Sequence, residues 1–288
     1  MSRELRARRT LGVGARVLGP DPVVVGILNV TPDSFSDAGE FFDPEAAVAH
    51  AARMLGEGAG IIDVGGESTR PGSEPVEPAE EVRRVVPVIR EIKAECPGAV
   101  ISIDTRHSST AEAALEAGAE VVNDITGMLG DERMASLVAD SGVPVVLMHM
   151  QGEPKTMQLD PHYDDVTAEV REFLSRRVAA AVAAGIDPEK IILDPGIGFG
   201  KKLEHNLTLL DHLGAIANLG QPLLVGTSRK SFLGRIPGSS DSSRAAGTIA
   251  TSVMAYERGA TLFRVHDVQE NRQALQVAAA IRRRGAGA

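Results

Sequence analysis

The sequence contains little cysteine and no long apolar run. Cys96 is the only cysteine among the 288 residues, which excludes an internal disulfide and a cysteine-based zinc site. A single thiol fits a reducing compartment, so we expect a cytoplasmic protein. No run of about 18 apolar residues occurs, and residues 1–10 are charged with no apolar segment behind them. We therefore expect neither a membrane span nor a secretory signal.

Basic residues are outnumbered by acidic ones. The chain has 30 Lys and Arg against 39 Asp and Glu, which gives a formal net charge of −9. This balance argues against general nucleic-acid binding. It is compatible with an anionic small-molecule ligand, provided that basic side chains converge at one place. The apolar fraction of 43% and the charged fraction of 24% are typical of a globular protein.

A unit of buried strand, polar end residue and amphipathic helix begins at Val23 and repeats along the chain. Val23–Leu28 is an apolar run typical of a strand buried on both faces, and Asn29 stands at its end. A turn-rich loop to Gly39 and then a helical pattern follow. Eight strands are predicted in this way: Val23–Leu28, Gly60–Val64, Val100–Asp104, Val121–Asp124, Pro144–Met148, Lys190–Asp194, Pro222–Gly226 and Leu262–Val265.

Strict alternation of buried strands and helices predicts a parallel sheet. Eight units favour an α/β fold of the closed (β/α)8 TIM-barrel type, which takes about 250 residues, over an open doubly wound sheet. The open sheet usually carries a G-x-G-x-x-G fingerprint after its first strand, where this chain has Asn29. We expect residues 1–22 to be an N-terminal extension that could form a short hairpin, with no assigned function, and residues 23–288 to form a single catalytic domain.

Each predicted strand ends in polar or ionisable residues. In a (β/α)8 barrel the catalytic groups lie at the C-terminal ends of the strands. One Asp at a strand end is as often a helix cap as a functional group, but a complete ring of such residues indicates a site. The ring consists of Asn29, Asp63 with Glu67-Ser68-Thr69-Arg70, Asp104, Asn123-Asp124, His149, Asp194, Ser228-Arg229-Lys230, and Arg264 with His266.

The ring residues separate into two chemical groups. Acceptors and one amide come from strands three, four and six: Asp104, Asn123 and Asp194. Such groups can bind the donor edge of a fused, guanidine-like heterocycle. Basic side chains come from strands two, seven and eight: Arg70, Lys230, Arg264 and His266. These offer charge-assisted donors for phosphate, and a helix N-terminus after strand eight can share the same anion. The expected ligand is a polar ring with an anionic tail.

Two glycine-rich loops flank this ring. Gly65–Gly72 has glycine at both ends and a cation within it, which suits a lid over a phosphate. The segment from Asp194 to Lys201 superficially resembles a phosphate-binding loop but lacks the G-x-x-x-x-G-K-[ST] spacing, so we reject that reading. Close approach of its backbone to a flat ligand, with Phe199 alongside, is the better interpretation.

Eight motifs, in this order, resemble those of dihydropteroate synthases: NVTPDSFSDAG, GGESTRPG, ISIDT, VVNDITG, LMHMQG, DPGIGFGK, SRK and RVHDV. The resemblance runs from about Val23 to the last helix. It implies a (β/α)8 fold, usually a homodimer, that uses Mg2+ and condenses 6-hydroxymethyl-7,8-dihydropterin diphosphate with 4-aminobenzoate. The products would be 7,8-dihydropteroate and pyrophosphate, in folate synthesis, and the family is a sulfonamide target.

The resemblance also implies residue roles. The pterin ring would be bound by Asp104, Asn123, Asp194 and Lys230. The diphosphate would be held by Thr69, Arg70, Arg264 and His266, with Mg2+ coordinated by Asn29. The aminobenzoate carboxylate would be received by Ser228 and a nearby helix N-terminus, and its ring lined by Phe35, Pro71 and Phe199. The residues expected to act in catalysis are Asp104, Arg70, Lys230, Arg264 and His266.

The implied mechanism is an SN1-like departure of pyrophosphate, followed by attack of the neutral arylamine. Closure of Asn29–Gly39 and Gly65–Gly72 would exclude water, which competes for the cation. One departure from the family is Ala38-Gly39, where members often have two glycines. It changes no chemical role.

Two other functions stay open at this point. A pterin-dependent methyltransferase reads the same ring on the same barrel but has no use for a diphosphate clamp. A catalytically silent homologue should show erosion in the mobile loops, and the motifs TPDSF and STRPG are intact. His205 is expected to be solvated, and His149 to shape the pocket without a chemical role.

Overall fold

The computed structural model describes residues 11–13, 16–19, 21–31, 44–68, 72–236, 238 and 244–286. Within these residues a two-stranded antiparallel hairpin precedes an eight-stranded parallel sheet. The hairpin strands are β1 (Leu11–Val13) and β2 (Arg16–Leu18). The sheet strands are β3 (Val23–Asn29), β4 (Ile61–Gly65), β5 (Ile101–Asp104), β6 (Val121–Asp124), β7 (Val145–Met148), β8 (Ile191–Asp194), β9 (Leu224–Val225) and β10 (Leu262–Val265).

The eight strands form a (β/α)8 barrel, which confirms the predicted fold class. They pair in the order β8-β7-β6-β5-β4-β3-β10-β9. A parallel bridge between Leu193 of β8 and Leu223, just before β9, joins the two ends of this order. Strand β9 begins two residues later than predicted, at Leu224 rather than Pro222. Pro222 has no N–H to donate to a neighbouring strand, which accounts for the shorter ladder.

Helices alternate with the barrel strands. They are α1 (Pro44–Glu57), α2 (Pro78–Glu95), α3 (Ser108–Glu116), α4 (Met134–Ser141), α5 (Val166–Ala183), α6 (Leu203–Asp211), α7 (Leu213–Ala217), α8 (Ser231–Gly234), α9 (Ala245–Glu257) and α10 (Val268–Ala286). Val85, Ile89 and Ile92 of α2 recur at helical spacing and are buried. In the part of the chain described here, no helix has both the length and the apolar content of a membrane span.

The barrel interior has an apolar layer below a polar layer. One buried cluster supplies the apolar layer: Val25, Ile61, Val100, Val121, Val146, Ile192, Leu224 and Leu262. Side chains alternate along a strand, so the residue two positions further on also points inward. In five strands that residue is polar: Asp63, Ser102, Asn123, Asp194 and Arg264. Asp104 lies two positions beyond Ser102 and belongs to the same layer. The strand period therefore sets a polar layer toward the C-terminal ends of the strands.

The hairpin lies at the opposite end of the barrel. Leu11 and Val13 belong to the same buried cluster as the apolar layer. The Lys190 Nζ atom donates a hydrogen bond of 3.0 Å to the carbonyl of Gly12, which fastens the hairpin to the start of β8. With the N-terminal end covered in this way, the C-terminal ends of the strands are left to receive a ligand.

Candidate active site

Arg264 lies at the centre of the polar layer, between two carboxylates. Its Nε donates to Oδ2 of Asp63 at 2.6 Å and its Nη2 donates to Oδ2 of Asp104 at 2.7 Å. Asn123 donates to the same Asp63 oxygen at 3.1 Å. The third guanidinium nitrogen makes no hydrogen bond to another described residue. Arg264 therefore organises the acidic side chains and still keeps donors for a ligand.

Asp63 is the ionisable residue of this layer that the sequence placed in the ring but to which it gave no role. It is 1% exposed, and its Oδ1 atom is buried without a hydrogen-bond partner among the described residues. Its position two residues after Ile61, inside the barrel, is the signal that could have indicated its role. The carboxylate orients both Arg264 and Asn123, so it sets the geometry of side chains expected to meet a ligand.

Burial tunes the ionisable groups of the polar layer. It raises the pKa of Asp104 to about 7, an effect that Arg264 opposes and Asp63 reinforces. It also raises the pKa of Asp194 above its ordinary 3.8, against the influence of Lys230. The pKa of Lys230 falls to about 8, again because of burial. These acids and this base change charge readily when a ligand supplies a partner.

Asp194, Lys230 and Phe199 lie together on one side of the barrel mouth, as sequence reasoning expected. The Asp194 Oδ1 atom accepts the N–H of Gly196 at 2.7 Å. The Lys230 ammonium donates to the carbonyl of Ile197 and lies 4.5 Å from the centre of the Phe199 ring. A carboxylate, a cation and an aromatic face thus converge where a flat polar ring could bind.

Ser228 and His266, which the sequence assigned to different parts of the ligand, form one pair. The Ser228 Oγ atom lies 2.9 Å from Nδ1 of His266 and accepts the His266 N–H at 3.0 Å. Helix α10 begins two residues later, at Val268. The pair and this helix N-terminus can receive an anionic group together.

Four residues with expected roles lie outside the described residues: Thr69, Arg70, Pro71 and Phe35. The start of the Gly65–Gly72 loop is described. The Gly66 carbonyl accepts from Arg84 at 2.9 Å, and Glu67 pairs with Arg106 at 3.1 Å. These contacts hold the beginning of the loop against α2 and the end of β5.

A group of potential metal ligands lies beneath this loop. Among the described residues, atoms of Glu67, Glu81 and His107 come within 4.8 Å of one another. The Oε2 atom of Glu81 already accepts from Thr105 at 2.9 Å and Thr110 at 2.8 Å, and lies 2.9 Å from Nδ1 of His107. We interpret the group as a structural anchor for the loop. Sequence reasoning missed it because Glu81 lies in the first turn of α2, where acidic residues are common.

The Glu81–His107 pair makes stability depend on pH. The hydrogen bond to Glu81 raises the pKa of His107 above 6.5, although burial opposes the shift. Its contribution to the free energy of unfolding is complete below pH 6.5 and is lost as the pH rises through the raised pKa of the folded protein. In urea unfolding, the stability advantage of the wild type over His107→Gln should shrink as the pH rises above 6.5. An advantage that stays constant as the pH rises would contradict the linkage.

Known proteins are similar to this chain in both sequence and fold. The family "Pterin binding enzyme" matches residues 25–266. The dihydropteroate synthase of Escherichia coli K12 is 48% identical over 256 residues, which cover 89% of this chain and 90% of that protein. The Yersinia pestis dihydropteroate synthase, solved with a sulfonamide drug complex, has a TM-score of 0.89 at 43% identity and covers 95% of this chain and 99% of its own.

A second solved structure bears on the ligand. The dihydropteroate synthase of Xanthomonas albilineans with 4-aminobenzoic acid has a TM-score of 0.88 at 46% identity, covering 95% of this chain and 98% of its own. The strand-end motifs, the barrel with its polar mouth and these relatives agree. The chain belongs to the pterin-binding enzymes, and within them to the dihydropteroate synthases, transferases of folate biosynthesis.

Proposed function

We propose that this enzyme condenses 6-hydroxymethyl-7,8-dihydropterin diphosphate with 4-aminobenzoate to form 7,8-dihydropteroate and pyrophosphate. The observation that carries the proposal is the meeting of Asp104, Asn123 and Asp194 with Lys230 and Arg264 at one end of the barrel. The 4-aminobenzoic acid in the Xanthomonas relative supports the identity of the second substrate.

The ring-binding group faces the pterin. Asp104 and Asp194 accept from the donor edge of the ring, and Asn123 offers an amide to the same edge. Lys230 donates to the ring from the adjacent strand end. Burial raises the pKa values of Asp104 and Asp194. Hydrogen-bond donors of the ring stabilise the ionised form of both carboxylates.

The anion-binding group faces the diphosphate and the carboxylate. Arg264 and His266 hold the diphosphate, and Nη1 of Arg264 is the guanidinium nitrogen that remains for it. Thr69 and Arg70 from the Gly65–Gly72 loop bind the same group. Ser228 and the α10 N-terminus receive the aminobenzoate carboxylate. The aminobenzoate ring lies against Phe199, with Phe35 and Pro71 from the loops.

Asn29 fits a Mg2+ ligand in its chemistry. It ends β3 and pairs with Gly65 of β4, and Gly65 in turn pairs with Asp104 of β5. The Asn29 side chain makes no hydrogen bond to another described residue. Mg2+ in diphosphate sites commonly takes one or two protein oxygens and completes its shell with phosphate oxygens and water. Bound there, Mg2+ would neutralise charge on the diphosphate.

The proposed reaction follows from these residue roles. The bond between the pterin methylene carbon and the diphosphate oxygen breaks, and its electron pair leaves with pyrophosphate. Arg70, Arg264 and His266 stabilise the charge on the departing group. Asp104 stabilises the cationic pterin. The neutral arylamine nitrogen then forms the new C–N bond and releases a proton to water, so no strong general base is required.

Product analysis tests the proposed reaction. Incubation with 13C-labelled 4-aminobenzoate and dihydropterin diphosphate should give labelled 7,8-dihydropteroate in the mass spectrum. Hydrolysis of the diphosphate to the pterin alcohol, without incorporation of label, would overturn the proposal.

Arg70→Ala should spare pterin binding but lower turnover. The reason is that Arg70 is assigned to the departing diphosphate, whose charge develops in the transition state. The measurement is kcat beside the Kd of the pterin. Arg83→Ala, on the exposed face of α2, is the control, since its side chain is 76% exposed. An unchanged rate in Arg70→Ala would show that the second loop does not act as a lid over the diphosphate.

We also propose that the enzyme is a cytoplasmic homodimer that works on small molecules. Family resemblance supports the dimer, and the single thiol of Cys96 fits a reducing compartment. Light scattering on the purified enzyme should give the mass of two chains of 30.3 kDa. A mass of one chain would overturn the dimer.

A further inference from the structure

The loop from Gly196 to Gly200, between β8 and α6, has each of its carbonyl oxygens bonded to a side chain. The Gly196 and Phe199 carbonyls accept from Lys201, each at 2.9 Å. The donors for the other carbonyls come from elsewhere in the chain: Lys230 to Ile197, Gln158 to Gly198 at 2.6 Å, and Tyr163 to Gly200 at 2.8 Å. A loop held at every carbonyl is rigid before a ligand arrives.

The backbone of this loop packs closely against the residues that follow β7. A Cβ atom at Gly196 would lie 1.8 Å from the His149 carbonyl oxygen, and one at Gly200 would lie 2.3 Å from that of Gln151. Both glycines have positive φ, 65° and 59°. Backbone in this conformation is costly to order, and side-chain donors offset that cost.

Lys201 is buried behind this loop and has no role in the proposed reaction. It is 2% exposed. Its ammonium group has three donors, and four acceptors lie around it: the two loop carbonyls, Nδ1 of His149 at 3.0 Å and the His149 carbonyl at 3.4 Å. Because the acceptors outnumber the donors, no donor is left to touch a ligand.

His149 is suited to accept from Lys201. Burial, followed by the charge of Lys201, lowers the pKa of His149 to about 3, so its ring is neutral. A neutral ring that accepts at Nδ1 carries its hydrogen on Nε2. The ring also packs edge-on against Phe173, with centroids 4.9 Å apart. His149 is thus a fixed acceptor that holds Lys201 in place.

The loop touches three side chains assigned to the ligand. Gly196 donates to Asp194, and Ile197 accepts from Lys230. Phe199 itself belongs to the loop. A shift of the loop therefore moves the carboxylate and the cation proposed for the pterin, and the aromatic ring proposed for the aminobenzoate, at the same time.

We propose that Lys201 is a positioning residue: through the carbonyls of Gly196 and Phe199 it fixes the loop that places Asp194 and Lys230 against the pterin and Phe199 against the aminobenzoate ring. The proposal deepens the proposed function and rests on it for the identity of the ligand. Burial also lowers the pKa of Lys201 to about 7, although the negative charge of Asp194 acts in the opposite direction. The protein therefore holds the ammonium group where burial disfavours its charged form. Such a placement is common for residues with a specific task.

Lys201→Met tests the proposal, because methionine retains the length and removes the donors. KM for the pterin diphosphate should rise about tenfold or more, while kcat changes by less than about threefold, since the loop acts on bound substrate and transition state alike. Lys202→Met is the matched control, because Lys202 is the next residue and its side chain is 44% exposed. This variant should leave KM and kcat unchanged. A fall in Tm with unchanged KM would show a merely structural residue and overturn the proposal, as would unchanged KM and Tm.

A second variant and a hydrogen-exchange measurement test the same proposal independently of Lys201→Met kinetics. Tyr163→Phe removes the donor to Gly200 while keeping the ring, and should raise the same KM by a smaller factor of about 2–5. Hydrogen exchange of residues 196–201 should speed up in Lys201→Met and not in Lys202→Met. This readout needs no turnover, so it separates failure of the positioning role from failure of the proposed reaction, which wild-type inactivity would reveal. Unchanged exchange would overturn the positioning role.

Discussion

Replacement of Asp194 by Asn should weaken pterin binding by about 2–4 kcal/mol, or roughly 30-fold to 800-fold, because the donor pair of the ring then meets an amide N–H₂ group in a buried place. Asp194 is 6% exposed, and one of its oxygens is already bonded to Gly196 at 2.7 Å. Asn has the same size as Asp and can keep that bond. The effect should therefore come from the oxygen that faces the ligand.

Stability should move differently from binding in this variant. Burial raises the pKa of Asp194 above 3.8, so the ionised carboxylate costs stability, and that cost grows as the pH rises through the raised pKa. Asp194→Asn should thus be no less stable than the wild type at neutral pH. Calorimetry of pterin binding, together with thermal unfolding, measures both quantities.

Asp187→Asn is the matched control for Asp194→Asn. Asp187 caps the short 3-10 helix before β8, at the other end of the same strand, by accepting from the Glu189 N–H at 2.9 Å. Asn caps about as well as Asp, so this variant should bind the pterin as the wild type does. An unchanged Kd in Asp194→Asn would remove Asp194 from the ring-binding group.

Replacement of Arg264 by Met should lower the free energy of unfolding by about 3–5 kcal/mol, the range for breaking a buried pair. The change leaves Asp63 and Asp104 close together and buried, without the cation between them. Turnover should fall as well, because we propose that Arg264 also holds the diphosphate. Arg283→Met is a control on an exposed pair with Asp21, with both side chains more than half exposed, and should change stability little.

The loss in Arg264→Met should depend on pH with a definite sign. Arg264 lowers the pKa of Asp104, so its removal raises that pKa further above the unfolded value. The variant then recovers stability at low pH, where the carboxylates take up protons, and loses it as the pH rises. Denaturant unfolding at about pH 5 and pH 8 measures this recovery. A deficit of equal size at both pH values would mean that the unpaired carboxylates are not its cause.

The fold could be predicted because each unit carried its own signal. The buried strand Val23–Asn29 begins with the run VVVGIL, and helix α2 carries Val85, Ile89 and Ile92 at helical spacing. The sequence also predicted that Asp104, Asn123 and Asp194 would lie at the same end of the barrel, since parallel strands bring their C-terminal ends to one face. Short-range patterns were sufficient for these predictions.

The network behind the site could not be predicted, because it depends on side-chain directions and long-range contacts. Asp63 and Arg264 are separated by 201 positions in the sequence yet share a hydrogen bond. Lys201 looks like the end of a loop motif, and only the fold shows it enclosed by His149 and two carbonyls. Ser228 and His266 meet because β9 and β10 are neighbours.

Pyrophosphate release tests the account most directly. The purified protein would be given dihydropterin diphosphate, with and without 4-aminobenzoate, and with and without Mg2+. We expect sustained release that requires both substrates and Mg2+ and that is matched by formation of 7,8-dihydropteroate. A protein that binds the pterin diphosphate but releases no pyrophosphate when the arylamine is added would contradict it, and would point to a pterin-binding homologue without synthase activity.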